Sequence, residues 1–217
     1  MRIGVFDSGV GGKSVATAIE KAFPEHSIEY VNDKKHIPYG TKTPDELFGF
    51  VVPILQGLAT RCDLIVVACN TVTTTLIAKL RDIITVPLIG IEPMVKPAAA
   101  QTKSKVIAVC ATPATLHSER YAWLKKEYAK GIQVIEPDCS DWADMIESDN
   151  LNQKKIQERI DSACQAGADV IVLGCTHYHW IEELIRNIAA DRATVIQPEQ
   201  AIVSRLKDLL AEHSLPA

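Results

Sequence analysis

Two short hydrophobic runs in this chain share one pattern of apolar and polar positions. Each begins with an aspartate, continues through aliphatic residues and ends at a cysteine that polar residues follow. Residues 63–71 read Asp-Leu-Ile-Val-Val-Ala-Cys-Asn-Thr, and residues 169–177 read Asp-Val-Ile-Val-Leu-Gly-Cys-Thr-His. A short apolar run bounded by turn-forming residues is typical of a buried parallel strand. Ligands bind beyond the carboxyl ends of such strands, so Cys69 and Cys175 are predicted to lie at a binding site.

Similar elements surround the two runs. Each run is followed by a helical pattern and then by a short apolar strand, at residues 76–83 and 86–91 and at residues 181–189 and 194–197. Alternating strands and helices are typical of parallel sheets covered by helices. We therefore predict an α/β fold of two similar three-layer α/β/α domains with mostly parallel sheets. A pseudo-twofold axis would relate them, with the active site between them.

The helical pattern nearest the end of the sequence indicates where the two domains divide. Residues 201–210 carry apolar side chains along one face, at positions 202, 203, 206, 209 and 210. Because this helix follows the last strand of the second half, we expect it to pack back on the first half. The predicted first domain is thus residues 1–92 plus 199–217, carrying Cys69, and the second is residues 93–198, carrying Cys175.

Composition narrows the class of protein. The 217 residues are 47% hydrophobic with a formal net charge of −4, as is ordinary for a globular protein. No basic segment with interleaved aromatic residues is present, so nucleic acid is not an expected partner. The first residues predict a strand rather than a secretory signal, and no apolar run could span a bilayer. The six cysteines show no Cys-x-x-Cys spacing, which favours free thiols. We expect a cytoplasmic protein with no membrane partner.

A glycine-rich turn follows the first predicted strand. It reads Asp7-Ser8-Gly9-Val10-Gly11-Gly12-Lys13-Ser14 and leads into a helix. A phosphate-binding loop would need glycine where Asp7 stands, and a carboxylate there would repel phosphate. The glycines are better explained by close approach of the backbone to a small ligand. Asp7 and Ser8 are then expected beside Cys69.

The residues after the two cysteine strands admit several kinds of chemistry. Cys175, His177 and His179 form a local cluster of metal-ligand type, but the residues after Cys69 include no histidine, so no metal is expected. A cysteine hydrolase needs one nucleophile with its base and gives no reason for two equivalent cysteines. Redox chemistry would favour the Cys-x-x-Cys spacing that the chain lacks.

Proton transfer explains the duplication. Inverting a stereocentre requires removal of a proton from one face and return of a proton to the other. Two opposed thiols suit this task without a cofactor, because a thiol with a pKa near ~8.5 can serve in either protonation state near neutral pH. Asp7 could assist Cys69, and His177 could assist Cys175. Backbone amides and polar side chains could hold a carboxylate, the side chains being those of Ser8, Asn70, Thr71, Thr112, Thr115 and Thr176.

A series of motifs covers nearly the whole chain in order. They are Asp7-Ser8-Gly9-Val10-Gly11-Gly12; Pro38-Tyr39-Gly40; Ala68-Cys69-Asn70-Thr71; Val86-Pro87-Leu88-Ile89-Gly90; Thr112 and Thr115 before Ser118; Cys139 with Glu147; and Gly174-Cys175-Thr176-His177-Tyr178. Together they closely resemble the motifs of cofactor-independent glutamate racemases, within the aspartate/glutamate racemase superfamily.

This resemblance implies specific roles. Cys69 would act on the D enantiomer and Cys175 on the L enantiomer, with Asp7, Glu147 and His177 as assisting groups. The residues implied to line the glutamate site are Ser8, Pro38, Tyr39, Gly40, Asn70, Thr71, Thr115 and Thr176. Similar enzymes supply D-glutamate for peptidoglycan and often form dimers, so a homodimer is expected.

Some positions depart from the family pattern. Asp33-Lys34-Lys35-His36 stands where Asp-x-x-Arg is usual, and His179-Trp180 stands where Pro-Leu is usual. Met94 and residues 197–199 also differ. Two alternatives therefore stay open: a racemase of the same fold for aspartate or another amino-acid-like substrate, and a binding paralogue that turns over weakly.

Overall fold

The computed structural model describes residues 1–213 and contains two four-stranded sheets. The first has the strand order β2-β1-β3-β4 and the second has the order β6-β5-β7-β8. The strands are β1 (Arg2–Asp7), β2 (Ser27–Asn32), β3 (Leu64–Val67), β4 (Leu88–Gly90), β5 (Val106–Cys110), β6 (Gln133–Ile135), β7 (Val170–Leu173) and β8 (Thr194–Ile196). Every ladder in both sheets is parallel, so the predicted α/β fold is confirmed.

Helices connect successive strands. They are α1 (Gly12–Ala22), α2 (Pro44–Ala59), α3 (Asn70–Ile83), α4 (Val95–Gln101), α5 (Pro113–Leu116), α6 (Glu119–Tyr128), α7 (Trp142–Glu147), α8 (Gln153–Gln165), α9 (Glu182–Ala189) and α10 (Glu199–His213). Short 3₁₀ turns span Lys34–His36, Tyr39–Thr41, Thr176–Ile181 and Ala190–Arg192. Within the described residues, no helix is both long and apolar enough to cross a bilayer.

The central strand β3 shows how each sheet is covered on both faces. Its four residues are all fully buried, as expected of a strand between two helical layers. Ile65 and Val67 pack in a cluster with side chains of α2 and α3, whereas Leu64 and Val66 pack in a cluster with α1 and α10. Side chains alternate across a strand, so one apolar run supplies two cores.

The last helix returns to the first sheet. Ile202 and Leu206 of α10 belong to the same buried cluster as Ile3 and Val15. We call the β1–β4 sheet with α1–α3 and α10 the first half, and the β5–β8 sheet with α4–α9 the second half. The expected domain division ends at residue 217, and residues 214–217 lie outside the described part of the chain.

Local sequence signals explain several helix ends. Thr43 caps α2, accepting a hydrogen bond from the Glu46 amide, and the Glu46 carboxylate accepts from the Thr43 amide in return. The helix predicted at residues 76–83 begins earlier, at Asn70, directly after Cys69. Its first turns are rich in threonine, which is a weak helix former. The hydroxyls of Thr74 and Thr75 bind backbone carbonyls of the preceding turn instead of competing with the helix.

The packing of α10 yields a stability prediction. Leu206→Ala should lower the free energy of unfolding by about 2–5 kcal/mol, because the leucine is fully buried and its removal leaves a cavity. Lys207→Ala, on the exposed face of the same helix, is the control and should have little effect. Urea unfolding of both variants measures this. Equal stability of the two variants would show that α10 does not form part of the core.

Candidate active site

The two predicted cysteines lie at equivalent places in the two halves. Cys69 directly follows β3 and precedes α3, and Cys175 follows β7 and Gly174 and precedes the 3₁₀ turn Thr176–Ile181. Both thiols are buried and face one interdomain cavity. That cavity is lined by Ser8, Ile37, Pro38, Tyr39, Gly40, Cys69, Asn70, Thr71, Thr112, Ala143, Asp144, Glu147, Cys175, Thr176 and His177. The structure thus brings together most of the residues that the sequence indicated.

Cys69 lies at the amino-terminal end of a helix. Its thiol donates a hydrogen bond to the Ser8 hydroxyl, at 3.5 Å. Burial, reinforced by the negative charge of Asp7, raises the pKa of Cys69 to about 12, although Ser8 and the amides of Val72 and Thr71 partly offset this. The closed cavity therefore favours the protonated thiol, while the helix amides are already placed to stabilise a thiolate.

Cys175 is linked to a histidine and a carboxylate. Its Sγ lies 3.7 Å from Nδ1 of His177, whose Nε2 lies 2.7 Å from Oε1 of Glu147. Glu147 also accepts a hydrogen bond from the Val10 amide of the first half, at 3.1 Å. Burial, with the nearby charge of Cys69, raises the pKa of Cys175 above its ordinary range. This line of groups gives the Cys175 proton a neighbouring acceptor.

Asp7 lies beneath the cavity rather than on its wall. It is fully buried, and its Oδ2 accepts a hydrogen bond from the Gly12 amide at 2.8 Å. The Thr176 hydroxyl of the second half donates to Oδ1 at 3.1 Å. Burial raises the pKa of Asp7 above its ordinary value, and the charge of its carboxylate in turn disfavours the Cys69 thiolate. The expectation that Asp7 assists Cys69 is therefore limited to an indirect effect through position and charge.

A group of threonines joins the two halves beside the cavity. Thr71 of the first half lies 2.9 Å from Thr112 of the second, oxygen to oxygen, and Thr112 donates to Thr115 at 3.1 Å. Thr115 is fully buried behind Thr112 and supports the wall instead of forming it. The neighbouring Asn70 differs: both polar atoms of its buried amide have no hydrogen-bond partner among the described residues. A buried amide without partners is costly unless a ligand satisfies it.

The first half contributes a network that sequence reasoning missed. The hydroxyl of Tyr39, in the cavity wall, donates to Asp33 at 2.6 Å, and His36 Nδ1 lies 2.7 Å from the same carboxylate oxygen. The His36 ring stacks on Phe50 at 4.0 Å between centroids. These contacts fix the tyrosine from behind.

Two cavity residues in α7 were also missed. They are Ala143 and Asp144. The available signal was helical spacing, because Asp144 precedes the predicted Glu147 by three residues and so shares its face.

Gly9 allows the two halves to meet at the cavity edge. A Cβ atom added there would lie 2.3 Å from Glu147 Oε1 and 2.5 Å from His177 Nε2. Any larger residue would displace Glu147 and His177, and His177 is the contact of Cys175. The glycine expected to allow close approach of a ligand thus allows close approach of the second half.

The metal cluster considered from the sequence does not assemble. His177 turns to Glu147, and His179 turns to Ser14, at 3.1 Å. Among the side chains that the structure describes, no three His, Cys, Asp or Glu residues are placed to hold a metal ion together.

Comparison with known proteins defines the class. The family model of Asp/Glu/hydantoin racemases matches residues 12–206. The chain therefore belongs to the Asp/Glu/hydantoin racemase family.

Within this family, the chain is similar to glutamate racemases. That of Ralstonia nicotianae is 37% identical over 220 residues, covering 99% of this chain and 79% of the relative. That of Pseudomonas putida is 38% identical over 227 residues, covering 99% and 83%.

Solved structures agree in fold. Escherichia coli glutamate racemase, in complex with L-glutamate and the activator UDP-MurNAc-ala, has a TM-score of 0.87 at 28% identity, covering 99% of this chain and 84% of that one. The Francisella tularensis enzyme, in complex with D-glutamate, has a TM-score of 0.83 at 29% identity, covering 100% and 83%. Allantoin racemase from Klebsiella pneumoniae, at 21% identity and a TM-score of 0.67, shares the fold.

The burial of Asp7 yields a pH prediction. Its pKa is raised above the ordinary value of 3.8, so the folded protein holds this proton more tightly than the unfolded chain. The resulting stabilisation is complete below the unfolded pKa and is lost as pH rises through the folded pKa. The stability of the wild type relative to Asp7→Asn, which cannot ionise, should therefore decrease as pH rises from about 4. Urea midpoints of both proteins across this range test the sign, and an increase in the stability of the wild type relative to Asp7→Asn as pH rises would contradict it.

Proposed function

We propose that this protein interconverts L- and D-glutamate by cofactor-independent proton transfer at Cα between two thiols. The observation that carries the proposal is that Cys69 and Cys175, one from each half, face the same cavity. Relatives named as glutamate racemases, similar over 99% of the chain, support the choice of substrate.

The reaction needs one thiolate and one thiol at a time. A thiolate on one side takes the Cα proton, and the thiol on the other side returns a proton to the opposite face of the carbanion. After each turnover the first cysteine is a thiol and the second is a thiolate. The enzyme is then ready to catalyse the reverse reaction. We assign Cys69 to the D enantiomer and Cys175 to the L enantiomer.

Burial makes either thiolate costly in the closed cavity. The backbone amides of Thr71 and Val72 near Cys69, and of His177 and Tyr178 near Cys175, favour the ionised forms. The ammonium group of a bound amino acid would add a positive charge between the thiols and lower their pKa values further. Substrate binding therefore helps to create the base that acts on it.

His177 and Glu147 are assigned to Cys175. His177 Nδ1 can accept the Cys175 proton across 3.7 Å, and Glu147 orients the ring from the other side at 2.7 Å. Asp7 is assigned a supporting role on the Cys69 side, where it anchors the glycine-rich turn through Gly12.

The unpaired amide of Asn70 is assigned to the substrate. Its NH₂ group can donate to a carboxylate, and its carbonyl oxygen can accept from an ammonium group. Hydroxyl groups around it supply further donors, together with the wall residues of the first half. The proposed substrate-binding set is Ser8, Pro38, Tyr39, Gly40, Asn70, Thr71, Thr112 and Thr176, together with Thr115, which acts from behind the wall through its hydrogen bond with Thr112.

The size of the cavity implies movement. Its volume is about 20 Å³, which is room for one or two waters and not for an amino acid. The two halves must therefore separate to admit glutamate and close again around it. Closure would exclude water from the carbanion.

The proposal includes three further properties. They are a supply of D-glutamate for peptidoglycan, a cytoplasmic location and a homodimeric state. The location is supported by the six free thiols, which suit a reducing compartment. The other two follow from the resemblance to glutamate racemases.

Hydrogen exchange at Cα tests the reaction. The protein is incubated with L- or D-glutamate in D₂O without added cofactor, and deuterium incorporation and optical rotation are followed together. Exchange accompanied by racemisation is expected. Faster exchange of aspartate would instead favour the alternative substrate. Glutamate binding without any exchange would favour the binding paralogue and overturn the proposal.

Substitution of either thiol tests the two-base assignment. Cys69→Ser and Cys175→Ser should each lower racemisation by about 100-fold or more, because a hydroxyl has nearly the same shape but is far less acidic. Cys164→Ser is the matched control, since that thiol is half-buried and lies outside the cavity. Substantial activity in either active-site variant would contradict the assignment.

The roles of His177 and Asp7 can be distinguished by the direction of racemisation that each substitution slows. The enantiomers have equal free energies in water, so kcat/KM must stay equal in the two directions in every variant. A difference between the L-to-D and D-to-L reactions must instead appear in kcat and in the kinetic isotope effect of deuterium at Cα. His177→Asn should lower kcat more for L-glutamate, and Asp7→Asn more for D-glutamate. Equal losses of kcat in both directions for both variants would show that the groups do not divide in this way.

A further inference from the structure

His179 connects the two halves outside the cavity. It lies two residues after His177, in the turn Thr176–Ile181, and its side chain is only 3% exposed. Its Nδ1 lies 3.1 Å from Oγ of Ser14 on α1 and 3.6 Å from Oε1 of Glu199 on α10. Both partners belong to the first half, whereas His179 belongs to the second. Neither His179 nor Ser14 lines the interdomain cavity.

The surrounding hydrogen bonds define the tautomer of His179. The Ser14 hydroxyl donates its proton to the Gly11 carbonyl at 3.1 Å, so its oxygen is left to accept from His179 Nδ1–H. The Glu199 carboxylate faces the same N–H group. Nε2 is then the unprotonated nitrogen, and it is buried without a partner among the described residues. Burial, helped by the charge of His177, lowers the pKa of His179 to about 4, so the ring is neutral near pH 7.

The bond lies beside a close contact between the backbones of the two halves. We call the contact between residues 8–14 and residues 175–179 the seam. A Cβ atom added to Gly11 would lie 2.4 Å from the Thr176 carbonyl carbon and 2.5 Å from the His177 nitrogen, so the backbones are in direct contact there. The Thr176–Asp7 and Glu147–Val10 hydrogen bonds also join the two halves next to the seam, but they involve cavity residues.

We propose that His179 is a positioning residue whose Nδ1–H bond to Ser14 holds the seam closed and so aligns the turn that carries Cys175 and His177. The inference rests on the proposed function, because that turn supplies the second thiol. His179 does not touch the substrate. It acts by favouring the closed state, in which substrate and transition state are both enclosed.

Loss of the bond should therefore weaken binding more than chemistry. Ser14→Ala and His179→Gln should each raise KM for both enantiomers by about 3- to 10-fold, the usual net effect of one hydrogen bond, with kcat changed less than KM. A purely structural defect would lower the active fraction instead, reducing the apparent kcat at unchanged KM. Thr17→Ala, one turn further along α1, is the control and should leave KM unchanged.

Two variants at position 179 distinguish loss of the hydrogen bond to Ser14 from the effect of simply replacing the histidine side chain. The amide nitrogen of asparagine can take the place of Nδ1, whereas that of glutamine takes the place of Nε2. His179→Asn should therefore restore a KM near that of the wild type, and His179→Gln should not. The double variant Ser14→Ala/His179→Gln should be no worse than either single variant, because both remove the same bond. Unchanged KM in both single variants, or equal effects of Asn and Gln, would overturn the inference.

Amide hydrogen exchange tests the same bond without relying on activity. Segments 8–14 and 174–182 should exchange faster together in Ser14→Ala and His179→Gln, and not in His179→Asn. If the wild type fails to racemise glutamate, the proposed function is wrong and hydrogen exchange alone decides the role of His179. If the wild type is active but neither exchange nor KM responds, only the inference about His179 is wrong.

Discussion

The burial of two thiols in one small cavity is the constraint on which the rest of the structure depends. Enclosure would protect the carbanion of the proposed reaction from water, yet it raises the pKa of Cys69 to about 12 and that of Cys175 as well. The charge of one thiolate also opposes ionisation of the other. Backbone amides at the two strand ends partly offset this rise, and an imidazole and an unpaired amide line the same cavity.

The repeated sheet order explains how one site receives two equivalent groups with different surroundings. In both halves the cysteine follows the third strand in the sheet order, β3 or β7, which is one of the two inner strands, and it precedes a helical turn. The neighbours differ, because Cys69 has a hydroxyl and Cys175 has an imidazole within reach. A duplicated backbone thus fixes where the two thiols lie, while local residues give each thiol its own surroundings.

The sequence alone predicts those features that depend on residues close together in the chain. The buried strands, the cap at Thr43 and the positions of both cysteines follow from apolar runs and turn residues that lie close together in the chain. Contacts between residues of different halves, such as that of Thr71 with Thr112, could not be predicted from the sequence. His179 illustrates the limit, since its spacing suggested a metal ligand and only the packing of α1 turned it towards Ser14.

The return of α10 to the first half has a mechanical consequence. The chain crosses between the halves twice, after β4 and after β8, and residues of both crossings, including Ile91 and Pro198, line one groove. Two covalent connections side by side resist twisting and leave bending about the axis through them as the easy motion. In the proposed opening, chain connectivity would set the direction of movement, and the polar contacts at the opposite edge would set its extent. With a single connection, Cys69 and Cys175 could lose their relative positions whenever the two halves separated.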